Sequence, residues 1–137
     1  MSVTFYDRRL ACPAAGTAEA TAAGLQLDQQ NPNYAGALPP YGATDYCINA
    51  SVQFYTPDLK PIGHNIRLTE DGWDPQLNSP DRSCPCNPMD TFIGDYFGND
   101  FAGVIDYSTF VSTYDNDGSN PHHYQQQVVA RVSPPKR

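Results

Sequence analysis

Short runs rich in β-branched and aromatic residues alternate along this chain with clusters of Pro, Gly, Asn and Asp. That alternation points to a turn-rich β fold. Thirteen prolines and ten glycines among 137 residues leave few stretches in which a long helix can propagate. A helical bundle also needs Glu and Lys in periodic register, and the chain holds only Glu19, Glu70, Lys60 and Lys136. Nine Tyr, six Phe and one Trp argue against a disordered chain. Acidic residues outnumber basic ones 15 to 8, for a net charge of −7, which excludes a basic face for a phosphate backbone. No run of about 18 apolar residues is present, so no transmembrane segment is expected. The length suits a single region spanning 1–137.

Six strands are expected, over residues 3–9, 48–56, 64–69, 91–97, 104–114 and 124–132. The clearest period is two: Ile48, Ala50, Val52 and Phe54 alternate with polar neighbours. Residues 57–61 read as a turn, Gly98-Asn99-Asp100 as the end of the fourth strand, and 115–121 as a hairpin loop. A long loop insertion occupies 13–46, with a short helix allowed over 17–30 and Thr17 as its cap. A second loop spans 70–90, and 133–137 reads as a tail.

Cys12, Cys47, Cys84 and Cys86 form an even set in a short Pro- and Asn-rich chain, which suggests disulfides and an oxidising compartment. Zinc competes poorly. Cys84-Pro85-Cys86 is tighter than a metal knuckle, and the three histidines are distant in sequence. Of the three pairings, Cys12–Cys47 with Cys84–Cys86 is favoured; the first closes a long loop and the second a small, strained ring. The chain opens Met-Ser-Val-Thr-Phe-Tyr with no leader pattern. A secreted or extracellular protein whose signal peptide lies upstream reconciles the two observations, with this chain as its C-terminal part.

The phrases at 3–9, at Asn65-Ile66-Arg67-Leu68-Thr69, at Thr91-Phe92-Ile93-Gly94-Asp95-Tyr96-Phe97-Gly98 and at Gln126-Gln127-Val128-Val129-Ala130-Arg131-Val132 resemble the last blades of sialidase-like (Asp-box, BNR-repeat) β-propellers, particularly of secreted bacterial proteins. The resemblance implies an all-β fold in which antiparallel meanders form about two partial blades of a six-bladed propeller, with long irregular loops. Two cut blades imply marginal stability alone, or partnership with the remaining blades or another copy of the chain. The Asp-box itself is incomplete: Thr69-Glu70-Asp71-Gly72-Trp73 lacks the residue between Asp and Gly.

By the same resemblance, the function is an exo-sialidase-like glycoside hydrolase. The alternative is a non-catalytic propeller that binds glycans or proteins. Sialidases use a Tyr nucleophile and Arg clamps on the substrate carboxylate. Asp95, Tyr96 and Arg8 become the candidate catalytic residues, and Arg9, Tyr46 and Trp73 the candidate substrate-binding residues. Arg8 or Arg9 also reads as an ion-pair partner of Asp7, and Arg67 as structural. Neither Glu is placed to activate a Tyr, so an activating residue would lie upstream. The aromatics Tyr34, Tyr41, Tyr46 and Trp73 suit either carbohydrate stacking or loop packing. No metal cofactor is expected, although Asp115, Asp117 and Asn120 have the alternating oxygen ligands of a partial calcium loop. His122 and His123 would face opposite sides of a strand. Asn49-Ala50-Ser51 is a glycosylation sequon. The expected partner is a carbohydrate or glycoprotein, with no nucleic acid.

Overall fold

The computed structural model describes residues 1–25, 39–75, 97–112 and 126–136. Seven elements follow in chain order: β1 (Ser2–Asp7), α1 (Ala18–Ala22), β2 (Asn49–Tyr55), β3 (Pro61–Arg67), β4 (Gly98–Ala102), β5 (Ile105–Ser112) and β6 (Gln126–Val132). They form two antiparallel three-stranded sheets, ordered β1-β2-β3 and β4-β5-β6. The structure is therefore mostly β with almost no helix, as composition requires. No described helix is long and apolar enough to cross a membrane.

The first sheet is built on the alternation in β2. Ala50, Val52 and Phe54 are buried at 0%, 0% and 2% exposure. Register places Tyr6, Thr4 and Ser2 of β1 beside them, and Ile66 and Ile62 of β3 on the other side. These side chains make one face, because residues two apart along a strand point the same way. β1 stops at Asp7, where the carboxylate accepts the Arg9 backbone N–H at 2.9 Å. Such a local side-chain bond competes with the ladder and ends the strand.

The turn after β2 forms where Pro57 and Asp58 predict it. Thr56 closes it with a backbone bond to Lys60 at 2.9 Å, and Leu59 takes φ 62°. β3 starts at Pro61, earlier than residue 64, because Pro61 pairs directly with Tyr55. Its position at the start of an edge strand tolerates the missing N–H. The ladder then shifts register, and residues 63–65 stand opposite Gln53 alone. Gly63 supplies φ 65° for this bulge. The Gln53 side chain donates to the Phe54 and Ile62 carbonyls at 2.9 and 3.3 Å. Pro135 packs against Gly63, 3.2 Å from where a Cβ would stand, so the C-terminal segment docks on β3.

The fourth strand differs from expectation. Gly98, Asn99 and Asp100, expected to end a strand over 91–97, lie inside β4; residues 91–96 fall outside the described residues. The physical reason is a polar seam between the sheets. Ser2 donates to Asn99 and Asp106, each at 2.8 Å. Asn99 donates to Thr4 at 2.8 Å, and Ser108 donates to Asp106 at 2.8 Å. The Thr4 and Ser108 hydroxyls are 2.8 Å apart. Gly98 is needed because the Thr109 hydroxyl occupies the place of its missing Cβ. Asp106 and Ser108 are fully buried, and satisfied partners make that burial tolerable.

Tyr6 ends the seam. Its hydroxyl donates to the Val111 carbonyl at 2.9 Å and accepts the Val111 N–H at 3.1 Å. Val111 lies beyond Thr109, the last β5 residue opposite described β4, and the phenol partners its backbone on that side. Apolar contacts flank the polar ones: Phe54 meets Phe101 edge-on at 6.3 Å, and Tyr6 meets Phe97 at 4.5 Å. Phe110 is completely buried.

The described parts of the 13–46 insertion build a satellite core rather than a bare loop. Cys12, Ala15, Leu25, Tyr46 and Cys47 cluster there. Thr17 caps α1 by accepting the Ala20 N–H, as its residue type predicts. Cys12 and Cys47 are disulfide-bonded across 35 residues, with Cα atoms 6.3 Å apart. Cys84 and Cys86 lie outside the described residues.

Candidate functional site

The outward face of the first sheet carries a polar groove. Register sets Asp7 beside Asn49, and Ser51 beside Arg67. The bulge in β3 adds Asn65. A cleft of about 330 Å3 is lined by Asp7, Arg9, Leu10, Ser51, Asn65 and Arg67. A second cleft, of about 140 Å3, shares Leu10 and Arg67 with it and continues past Asn49, Asp71 and Gly72 to the disulfide. Arg67 thus sits where the two meet.

Residues 69–72 shape the second cleft. Leu68 still bonds to Ala50 at 2.8 Å, and pairing resumes where Ile48 and Trp73 exchange backbone bonds at 2.8 and 3.0 Å. Between them the chain bulges. The Thr69 hydroxyl accepts the Ala50 N–H and donates to Asn49, both at 3.2 Å. The incomplete Asp-box is therefore a bulge that turns Glu70 and Asp71 outward and Trp73 inward.

At the other end, Arg9 clamps Asp7. Its Nη2 reaches Oδ2 at 2.6 Å and its Nε reaches Oδ1 and Oδ2 at 2.9 and 3.1 Å. The Asp7 side chain is 6% exposed and that of Arg9 65%. The hydrogen bonds from Arg9 hold the Asp7 carboxyl below the usual carboxylate range, against the opposing effect of burial. Asp7 in turn pushes the guanidinium upward. The Arg9 guanidinium also stands 5.9 Å from the Phe5 ring.

A pH dependence follows from Asp7. Its folded value lies below its unfolded one, so its contribution is present above an unfolded pKa of about 3.9 and is lost as pH falls through the folded value. Asp7→Asn should flatten the acid limb of stability, read as denaturation midpoints across that window. Equal acid sensitivity in both proteins would contradict this role.

The candidate residues separate on this geometry. Arg9 lines the groove, engaged with Asp7. Arg8 is exposed and does not line either cleft. Tyr46 and Trp73 are buried at 6% and 2% exposure, so neither presents a ring face for a sugar. The Tyr46 hydroxyl donates to the Pro13 carbonyl at 2.7 Å; burial, followed by the charge of Asp74, raises its pKa. Trp73 packs edge-on to Tyr6 at 5.9 Å. Both aromatics pack the interior. Tyr41 is exposed, at 83%.

Asp95, Tyr96, Asp115, Asp117, Asn120, Tyr34, His122 and His123 lie outside the described residues. Among the described residues no group of three His, Cys, Asp or Glu could hold a metal. Asn49 is 2% exposed, which closes the sequon once the chain has folded. Asn65 and Arg67 are groove residues that sequence reasoning missed. Only the β2–β3 register, bulge included, brings them beside Ser51 and Asp7.

Compared with protein-family models, with curated proteins and with solved structures, the chain shows no match to any.

Proposed function

We propose that the chain supplies two adjoining partial blades of a sialidase-like β-propeller and binds a glycan without hydrolysing it. Two successive three-stranded meanders packed face to face support the architecture, since propeller blades are meanders stacked in this way. The observation that carries the function is the groove. Asp7, Ser51, Asn65 and Arg67 surround its larger cleft with donors and acceptors, the polar chemistry that fixes a hydroxylated ligand's orientation. The Arg67 side chain makes no hydrogen bond or ion pair among the described residues, so its donors are available.

Binding is favoured over hydrolysis because of the glutamates. Glu19 and Glu70 are exposed, and neither side chain is hydrogen-bonded to a described tyrosine, so neither is placed to activate one. A secreted protein is part of the same proposal, consistent with the Cys12–Cys47 bridge.

Calorimetric titration with sialylated and neutral oligosaccharides, beside a fluorogenic sialoside assay, tests this reading. Binding without turnover is expected. Arg67→Ala should weaken binding about tenfold, the loss of one charged hydrogen-bonding group at about 1.5 kcal/mol. Turnover by the chain would defeat the non-catalytic reading, and an unchanged affinity in Arg67→Ala would remove the groove from it.

A further inference from the structure

Among the described residues, β6 is paired along one edge only. It pairs with β5 along its whole length, from Gln126 opposite Ser112 to Val132 opposite Asp106. Sheet order places no described strand on its other side. Tyr6 reveals which backbone groups point there. Both the N–H and the C=O of Val111 turn to the Tyr6 hydroxyl, away from β6. In an antiparallel ladder such residues alternate with the hydrogen-bonded ones. Val111 stands opposite Gln127, Thr109 opposite Val129 and Tyr107 opposite Arg131. The N–H and C=O groups of Gln127, Val129 and Arg131 therefore line the free edge.

We propose that this edge pairs with the same edge of a second copy of the chain, antiparallel about a two-fold axis at Val129. The three edge residues are spaced evenly about Val129, so the arrangement is self-complementary. Val129 meets Val129 of the second copy, and Gln127 meets Arg131 in both directions. Every free N–H and C=O of the three residues then finds a partner. The side chains agree. Val129 is 61% exposed, and two valines cover one another at the axis. No like charges stand directly opposite.

The edge also lacks the usual protection. It contains no Pro, no Lys and no bulge, and its pairing with β5 is regular over seven residues. A closed two-fold interface uses one patch on both copies, and it leaves no edge for further growth on that side. The result is a continuous six-stranded sheet through the dimer.

The inference stands on the β5–β6 ladder and not on the glycan reading. Light scattering on the full chain should give a mass twice 15.1 kDa. Val129→Pro removes a donor that faces the edge while leaving the β5–β6 bonds, so the mass should halve with the circular dichroism unchanged. Val129→Lys sets two ammonium groups opposite one another and should also give a monomer. Val129→Cys should cross-link between copies, because Cα atoms about 5.5 Å apart suit a disulfide, whereas Thr109→Cys, one strand inward, should not. A wild-type chain that stays at 15.1 kDa up to millimolar concentration overturns the proposal. So does a dimer that persists in both the Pro and the Lys variants. Either result leaves the glycan reading untouched.

Discussion

Cys47→Ser is expected to lower the unfolding free energy by about 4 kcal/mol, the chain-entropy value for a bridge closing a loop of this size. Cys12 and Cys47 are 35 residues apart and the bridge lies inside the satellite core, with Cys47 only 1% exposed. The bridge holds the 8–25 segment against the root of β2, and with it one wall of the smaller cleft. Denaturant unfolding of wild type and variant, each with and without reductant, measures the effect. Reductant should bring wild type down to the variant and leave the variant where it was. A wild type insensitive to reductant would show that this bridge contributes nothing to stability.

The second large effect is expected at Trp73. Removing a buried indole costs about 3–5 kcal/mol, the range for Trp or Phe to Ala in a core. Trp73 is 2% exposed, packs on Tyr6 and stands where the chain rejoins β2 at Ile48. Its indole N–H has no hydrogen-bond partner among the described residues, so Trp73→Phe loses volume and none of their bonds. That change should cost well under half as much as Trp73→Ala. The pair of variants separates packing from sugar stacking. A packing role lowers the unfolding midpoint in the order Ala, Phe, wild type and leaves glycan affinity of the folded protein alone. A stacking role would do the reverse.

Much of the first sheet was legible in advance. Ile48, Ala50, Val52 and Phe54 alternate because one face of β2 is buried, and Pro57-Asp58 marks the turn that follows. The Thr17 cap was legible for an equally local reason, and the Cys12–Cys47 pairing, 35 residues apart, from the even cysteine count and the length of the loop it closes. β4 was not, and its residues explain why. Gly98, Asn99 and Asp100 carry turn chemistry in sequence, yet Asn99 lies in a strand because Ser2, Thr4 and Ser108 satisfy its amide. A seam of Ser, Thr, Asn and Asp looks like surface until its partners, about a hundred residues away, are placed.

The groove was legible only in part. Asp7 and Arg9 are two residues apart, so their pairing is a local event that sequence can suggest. Arg67 and Asn65 reach the same place through a three-against-one bulge opposite Gln53, and a one-residue change in that register would turn them to the other face. Tyr46 and Trp73 illustrate the converse. Aromatic residues among Asn and Asp look like a sugar platform, but their large apolar area is buried wherever a core will take it.

The outward face of the first sheet is proposed as a glycan site. Amide chemical-shift mapping with a sialylated oligosaccharide tests it most directly. Shifts confined to residues 7–10, 49–51 and 65–72, lost in Arg67→Ala, are the predicted result. Shifts that cluster elsewhere in the chain, or none at saturating glycan, would contradict the account.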